Sequence, residues 1–168
     1  MKPIRHHVSL PSSLGTGLIT EHIEFEGAMN NEMAGFYRSK YKPAGTPVKS
    51  VPYDNEWYYM LSTHFAPRDG RLAFPCFDEP NLKASFDFEI EAPIDQSALS
   101  SMPVNNTRPT KDEWNMVIFE TTPIMGTYLL AWAFGDFQYV QAHTDRLYSD
   151  RQLPVCVYTT RDLKDQGH

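Results

Sequence analysis

The stretch that decides the fold is residues 84–93, ASFDFEIEAP, in which apolar and acidic side chains alternate. Three apolar residues fall on one side of an extended chain and three carboxylates on the other: Phe86, Phe88 and Ile90 against Asp87, Glu89 and Glu91. A period of two residues is that of a β-strand with one buried and one solvated face. The pattern therefore predicts a half-buried strand.

The same period recurs along the chain. Further strand-prone segments are GLITEHIEFEG (17–27), EWYYMLSTHF (56–65), WNMVIFETT (114–122), TYLLAWAFGDFQYVQAH (127–143) and LPVCVYTT (153–160). The apolar run MGTYLLAWAFG (125–135) is ambiguous, but its aromatics and glycines favour a doubly buried strand over a helix. Thirteen prolines also weigh against a helical protein, because each removes an amide donor. We predict an all-β fold of two packed antiparallel sheets, with Tyr128, Trp132 and Phe134 in the core.

Composition restricts the class of protein. The 168 residues are 41% hydrophobic, which suits one β domain over residues 17–168 after a loose arm at 1–16. The net charge of -6, without a Lys/Arg cluster, argues against nucleic acid as a partner. The chain has no apolar run of membrane-spanning length and no apolar core of a signal peptide near its start, so we expect a cytoplasmic protein without a membrane partner.

Motifs for metals and cofactors are missing from the sequence. Cys76 and Cys156 are far apart and form no CxxC pair, so we expect two reduced thiols rather than a metal site. The sequence also contains no glycine-rich phosphate loop, no dinucleotide-binding fingerprint and no serine nucleophile elbow. We therefore expect no metal and no cofactor.

Three stretches carry a family resemblance: NNEMAGFYRSKYKP (30–43), RDGRLAFPCFDEPNLKASFDFEI (68–90) and TTPIMGTYLLAWAFGDFQYV (121–140). They resemble the N-terminal β domain of zinc aminopeptidases related to aminopeptidase N, especially the puromycin-sensitive and fungal members. The resemblance implies a saddle-like β sandwich that forms one wall of the active-site cleft. In that family a second domain binds zinc through HExxH, and this motif does not occur here. We expect a truncated domain, without the early strands and the zinc domain, and without peptidase activity of its own.

The resemblance also implies roles for the residues that precede the FPCFDEP turn (74–80). Family members have the approximate pattern T-Q-x-E-x-x-D-A-R-R-A there, and its Gln and Glu face the first residue of the substrate and its amine. His64 occupies the Gln position and Ala66 the Glu position. Loss of the carboxylate removes a charge-assisted contact to an ammonium group, so we expect amine recognition to be lost. GAMNN (27–31) resembles the family's amine-binding GAMEN motif, but it lacks the glutamate, and we interpret it as an ordinary turn.

Candidate site residues cluster around this turn. His64 is the candidate acid or base, because an imidazole titrates near neutral pH; a solvated loop histidine is the structural alternative. Asp69 and Arg71 complete the candidate catalytic set, or pair with each other as part of the turn. The candidate substrate-binding residues, an aromatic pocket with a cationic handle, are Tyr37, Arg38, Trp57, Tyr59 and Phe65. The residues predicted to be architectural, with carboxylates that accept backbone amides, are Cys76, Asp78 and Glu79.

Two classes of function remain open. The first is a stand-alone protein that binds a small organic molecule and converts it by metal-independent isomerisation or cyclisation. The second is a non-catalytic binding or assembly module, either a partner of an aminopeptidase catalytic domain or a fragment of a zinc aminopeptidase. Because sheets that lose neighbouring strands expose backbone edges and apolar faces, we predict a homodimer in either case.

Overall fold

The computed structural model describes residues 17–42, 57–161 and 163–164. The predicted arm, residues 1–16, lies outside the described residues. The all-β prediction is confirmed: the described chain contains eleven strands, two short 3₁₀ turns and no α-helix. Over these same residues, no helix is long and apolar enough to cross a membrane.

The strands, in chain order, are β1 Gly35–Tyr41, β2 Tyr58–His64, β3 Lys83–Ala84, β4 Glu89–Pro93, β5 Ser97–Ser100, β6 Val104–Lys111, β7 Trp114–Phe119, β8 Met125–Gly126, β9 Trp132–Gly135, β10 Phe137–His143 and β11 Pro154–Thr160. The 3₁₀ turns are Gly70–Leu72 and Thr127–Leu129. A four-stranded sheet has the order β1-β2-β9-β5 and a three-stranded sheet the order β4-β7-β6; β10 pairs with β11, and β3 with β8. All these strand pairs are antiparallel.

Residues 84–93 alternate as predicted. Phe86 and Phe88 are half-buried, and the carboxylates that follow each of them are exposed. The regular ladder with β7 begins only at Glu89. Before it, the backbone N–H of Phe86 donates to Thr122 Oγ1 at 2.9 Å, and the Thr122 N–H donates to the Phe86 carbonyl at 3.0 Å. A side-chain hydroxyl thus replaces one ladder bond and extends the strand pairing.

Next to the buried Phe65, half-buried aromatic rings cluster around Trp132. Its ring centroid lies 4.9 Å from Phe88, 5.1 Å from Phe65, 5.6 Å from Phe36 and 6.1 Å from Phe74. Phe36 and Trp132 belong to the four-stranded sheet, whereas Phe88 directly precedes β4 of the three-stranded sheet. Trp132 therefore joins the two larger sheets across their interface, which is the arrangement of a sandwich.

The predicted strand at residues 17–27 is not paired with any described strand. Leu18 is fully exposed, and Ile23 and Phe25 are 45% and 57% exposed. The alternation that predicted a strand is present, but no neighbouring strand lies beside it in the described chain. A period-two pattern specifies which face of a segment is apolar, whereas pairing also needs a partner.

The predicted continuous strand at 125–135 is wrong at its centre, where Thr127–Leu129 forms a 3₁₀ turn. Thr127 Oγ1 donates to the Phe77 carbonyl at 2.7 Å, which directs the chain toward the neighbouring turn instead of along a sheet. Tyr128 is consequently 37% exposed and is not a core residue, as had been expected from its aromatic ring. Trp132 and Phe134 lie in the aromatic cluster but are half-buried.

Candidate functional site

The FPCFDEP turn is fastened to the 3₁₀ turn that precedes it through Asp78, which is only 3% exposed. Asp78 Oδ2 accepts the backbone N–H and the Nε–H of Arg71, both at 3.0 Å. The Arg71 guanidinium also lies 3.6 Å from Glu79 Oε1. The hydrogen bond to Asp78 raises the pKa of the Arg71 guanidinium above its ordinary value. The arrangement fixes two chain segments against each other around one buried carboxylate.

The predicted pairing of Asp69 with Arg71 is wrong. Arg71 binds Asp78 instead, while the Asp69 backbone N–H donates to the Phe65 carbonyl at 2.9 Å. The Asp69 carbonyl accepts the N–H of Leu72 at 3.1 Å. A 3₁₀ turn has three residues per turn, so residues two apart project in different directions. The sequence separation of two residues was therefore a misleading signal of an ion pair.

Cys76 is a half-buried free thiol within the same turn. Burial raises the pKa of the Cys76 thiol to about 11, and the negative charge of Asp78 adds to the shift, while Arg71 opposes it. The thiol is protonated at neutral pH, and a protonated thiol is a weak nucleophile. Cys76 also lines an open depression of about 550 Å³ together with Phe74, Phe77 and other residues of the turn.

His64 ends β2 and is exposed. Its Nδ1 lies 3.0 Å from the backbone carbonyl of Met33. Because a carbonyl only accepts, Nδ1 is the donor in this contact. His64 pairs in register with Gly35, so its side chain lies at the end of the β1–β2 pair. Its catalytic role stays a prediction.

The five predicted substrate-binding residues occupy three separate places. Tyr37 is buried, and it faces the opposite side of β1 from Arg38 because side chains alternate along a strand. The Arg38 guanidinium lies 5.4 Å from the centre of the Tyr59 ring, and Trp57 lies nearby on the same face. Phe65 is 2% exposed and belongs to the core. The structure therefore does not bring the five together into one pocket.

An apolar cleft that the sequence did not predict opens between the two larger sheets, with a volume of about 400 Å³. The residues around it are Phe25, Phe36, Ala73, Phe74, Phe86, Asp87, Phe88, Leu130 and Trp132. His64 is not among them. The alternation of Phe86 and Phe88 with acidic residues indicated an apolar face. The sequence could not predict the distance between the two sheets, on which the cleft depends.

The GAMNN segment builds the turn before β1. Asn30 Nδ2 donates to the carbonyls of Ala34 at 3.0 Å and Phe36 at 3.3 Å, and its Oδ1 accepts the N–H of Glu32 at 2.7 Å. Asn31 Oδ1 accepts the Nε–H of Arg38 at 2.7 Å. Both asparagine side chains thus stabilise this turn. Across the described residues, no three His, Cys, Asp or Glu side chains come together as metal ligands.

Comparisons with known proteins place these features in a family. The sequence matches the Peptidase M1 N-terminal domain family over residues 2–129. It is 42% identical over 145 residues to Aminopeptidase 2, mitochondrial, of Saccharomyces cerevisiae, covering 86% of the chain and 14% of that protein. It is 37% identical over 161 residues to the puromycin-sensitive aminopeptidase of Caenorhabditis elegans, covering 95% of the chain and 16% of that protein.

Aminopeptidase N of Canis lupus familiaris is 38% identical over 148 residues, which is 86% of the chain and 14% of that relative. The chain thus spans between 14% and 16% of the length of these curated relatives. The aminopeptidase resemblance found in the sequence is confirmed. The chain belongs to the Peptidase M1 N-terminal domain family.

Proposed function

We propose that the chain serves as a non-catalytic β domain of an aminopeptidase and packs against a catalytic domain that supplies the peptidase chemistry. The observation that carries the proposal is the open apolar cleft around Trp132, together with the aminopeptidase names of the relatives. The relatives are six to seven times longer than the matched stretch, so the chain corresponds to a small part of each.

The chemistry of the cleft favours packing over acid–base catalysis. Asp87 is the one titratable residue among the described residues around it, and the Asp87 carboxylate accepts a hydrogen bond from the hydroxyl of Thr121. The remaining lining residues are aromatic or aliphatic. Removing apolar surface from water contributes about 25 cal/mol per Å², and concave apolar surfaces of this kind commonly mark contact sites. Another protein surface can use the cleft without any proton transfer.

A chimera tests the proposal. The 145-residue matched region of Aminopeptidase 2 of Saccharomyces cerevisiae is replaced by the matching residues of this chain, and hydrolysis of an aminoacyl 4-nitroanilide is measured. We expect the chimera to fold and to remain active, because the replaced domain contributes no water-activating group, but with a kcat/KM about tenfold to a hundredfold below that of the parent, because Ala66 replaces the carboxylate that binds the substrate amine. A matched control carries Trp132→Ala in the chimera and should lose folding or activity. A soluble, folded chimera without activity contradicts the proposal.

The volume of the cleft supports a second candidate, the binding and conversion of a small apolar molecule. About 400 Å³ falls within the range of small-molecule sites. A metal-independent isomerisation or cyclisation there would use the shape of the cleft, since His64 lies outside its lining. Saturable binding of an apolar dye to the 168-residue chain, abolished by Phe88→Asp and unchanged by His64→Ala, would support this candidate. Absence of saturable binding would remove it.

A further inference from the structure

Phe77 lies within the FPCFDEP turn with its side chain in water. It is 78% exposed, the highest value of any aromatic residue that the structure describes. A phenylalanine ring is among the side chains that gain most from removal from water. Single exposed rings are nevertheless common on protein surfaces. What this ring can do therefore depends on how it is held and on what surrounds it.

Buried polar side chains fix the backbone at Phe77 and at the residue that follows it. The Phe77 carbonyl accepts the Oγ1–H of Thr127 at 2.7 Å, and Thr127 is 4% exposed. The next residue, Asp78, is 3% exposed and accepts two N–H groups of Arg71. A side chain that is held in place before binding loses less conformational entropy on binding than a flexible one. Phe77 is thus presented to solvent by a backbone that is already ordered.

An open depression of about 550 Å³ lies beside the Phe77 ring. Its apolar lining includes Phe74, Leu82, Ala84 and Phe86. Leu82 is itself 46% exposed, so apolar surface continues from the ring onto the rim of the depression. An exposed ring and an apolar hollow therefore lie side by side on this surface.

The chemistry of the depression favours contact over catalysis. No carboxylate and no imidazole lies among the described residues around it. Lys83 supplies a charge and is exposed. The other ionisable group is the thiol of Cys76, whose pKa burial raises to about 11, so that it is protonated at neutral pH. The apolar part of this surface is left to bind apolar groups.

The depression continues into the cleft around Trp132, because Phe74 and Phe86 line both. The Phe74 ring centroid lies 6.1 Å from that of Trp132. The two hollows, of about 550 Å³ and about 400 Å³, therefore form one apolar surface with Trp132 in the cleft and Phe77 beside the depression. Continuous exposed apolar surface of this kind marks contact sites. A domain that covers the cleft therefore has Phe77 next to it.

We propose that Phe77 is the anchor of this surface and inserts its ring into an apolar pocket of the aminopeptidase catalytic domain. The inference rests on the proposed function, since it extends the contact with the same partner from the cleft to the depression. The matched region covers between 14% and 16% of the three relatives, so most of each relative lies outside it and can supply the pocket. A few preordered aromatic residues, surrounded by apolar contacts, commonly supply most of the binding free energy of an interface.

Hydroxyl-radical footprinting with mass spectrometry compares the accessibility of Phe77 in the 168-residue chain and in the aminopeptidase chimera. We expect the ring to be oxidised at least about tenfold more slowly in the chimera, because anchor residues are desolvated at the centre of an interface. Ile94 is the matched control: it is 62% exposed and follows Phe86 by eight residues, about 26 Å along an extended chain. Its rate should stay within about twofold.

Replacement of the ring tests whether it contributes to docking. Phe77→Ser should leave the urea midpoint of the 168-residue chain within about 0.3 M of the wild type, because the ring is exposed there. In the chimera, the same change should raise the rate at which thermolysin cleaves between the two domains by at least about tenfold, because loss of an anchor favours the undocked state. Ile94→Ser should change neither quantity. A cleavage rate unaffected by Phe77→Ser would overturn the proposal.

The outcomes distinguish this inference from the proposed function. An active chimera in which Phe77 is oxidised as rapidly as in the 168-residue chain overturns the anchor and leaves the proposed function intact. A folded, inactive chimera with a protected Phe77 contradicts the proposed function and supports the anchor. Protection in the 168-residue chain that increases with its own concentration assigns the surface to a second copy and overturns the proposal.

A second measurement applies if the chimera does not fold. The parent Aminopeptidase 2 of Saccharomyces cerevisiae, with phenylalanine at the position that aligns with Phe77, is then footprinted in native and urea-unfolded form. We expect that phenylalanine to be oxidised at least about tenfold more slowly in the native enzyme. Equal rates would overturn the anchor.

Discussion

The turn around Asp78 and the segment 18–26 are built from similar residues but satisfied in different ways. Both mix aromatic side chains with carboxylates. In the turn, a buried carboxylate accepts two N–H groups of Arg71. In the segment, the backbone N–H and C=O groups have no backbone partner in the described chain, and Ile23 and Phe25 are exposed. The difference shows that hydrogen-bond partners, more than composition, decide whether such a stretch is a fixed corner or an unpaired segment.

Asp78→Ala should give the largest loss of stability in the corner, which residues 69–78 form. It leaves the Arg71 backbone N–H without its acceptor and the guanidinium with only the distant Glu79, so we expect a loss of about 3 kcal/mol in the free energy of unfolding. Urea denaturation measures it. Glu79→Ala is the matched control: its side chain is half-exposed and 3.6 Å from Arg71, so about 0.5 kcal/mol or less is expected. Equal effects of the two variants would show that Asp78 does not fasten the corner.

Thiol modification reports on the same corner without a mutation. With its pKa raised to about 11, Cys76 should react with iodoacetamide at pH 8 about a hundredfold more slowly in the folded protein than in urea, where a thiol titrates near its ordinary value. Peptide mapping follows Cys76 separately from Cys156. Equal rates in both conditions would mean that the corner does not bury the thiol.

The raised pKa of Cys76 also has a consequence for stability. The folded state binds the thiol proton more tightly than the unfolded state does. The stability that Cys76 contributes through this proton is therefore complete below the unfolded pKa of about 8.5. It is lost as the pH rises through about 11, the pKa of the folded state. Cys76→Ser should flatten the fall in stability over that interval. An unchanged pH profile in Cys76→Ser would contradict it.

Two glycines can be compared by the same substitution to alanine. Gly35 begins β1 and packs against the corner, whereas Gly17 directly precedes the segment. Gly35 has a φ of +66°, and a Cβ there would lie 2.7 Å from Leu72 Cβ, so Gly35→Ala should cost about 2 kcal/mol. Gly17 has open space around it, so Gly17→Ala should change stability by less than about 0.5 kcal/mol. Thermal unfolding of both variants measures the difference, and similar values would contradict it.

The smallest effect is expected within the segment. Ile23→Ala should cost less than about 0.5 kcal/mol, because the Ile23 side chain is 45% exposed. The matched control, Phe119→Ala, removes a side chain that is 4% exposed and should cost about 3 kcal/mol or more. A large loss for Ile23→Ala would show that this side chain is buried in the folded chain.

Alternation was sufficient to predict the fold class and the course of residues 84–93, because a period of two specifies one buried and one solvated face. It could not predict that the segment at 17–27 has no neighbouring strand among the described residues, since pairing depends on residues elsewhere in the chain. The 3₁₀ turn at Thr127–Leu129 was missed because it depends on a hydrogen bond to Phe77, fifty residues earlier.

The candidate site was predicted less well than the fold. The resemblance pointed to the region of His64 and the FPCFDEP turn, but the ion-pair partner of Arg71 is Asp78, seven residues away, rather than Asp69. The aromatic residues near β1 were grouped by type, although Tyr37 and Tyr59 lie on opposite faces of the paired strands. Which face a residue occupies depends on strand register, and sequence proximity does not provide it.

Hydrogen–deuterium exchange tests the contrast between the corner and the segment most directly. The account predicts that five amides of the corner exchange slowly, because their N–H groups donate within the chain; they belong to Asp69, Arg71, Leu72, Ala73 and Phe74. Amides of residues 18–26 should exchange rapidly, because none of them donates to the backbone of another described residue. Slow exchange of residues 18–26, or rapid exchange of the five corner amides, would contradict the account.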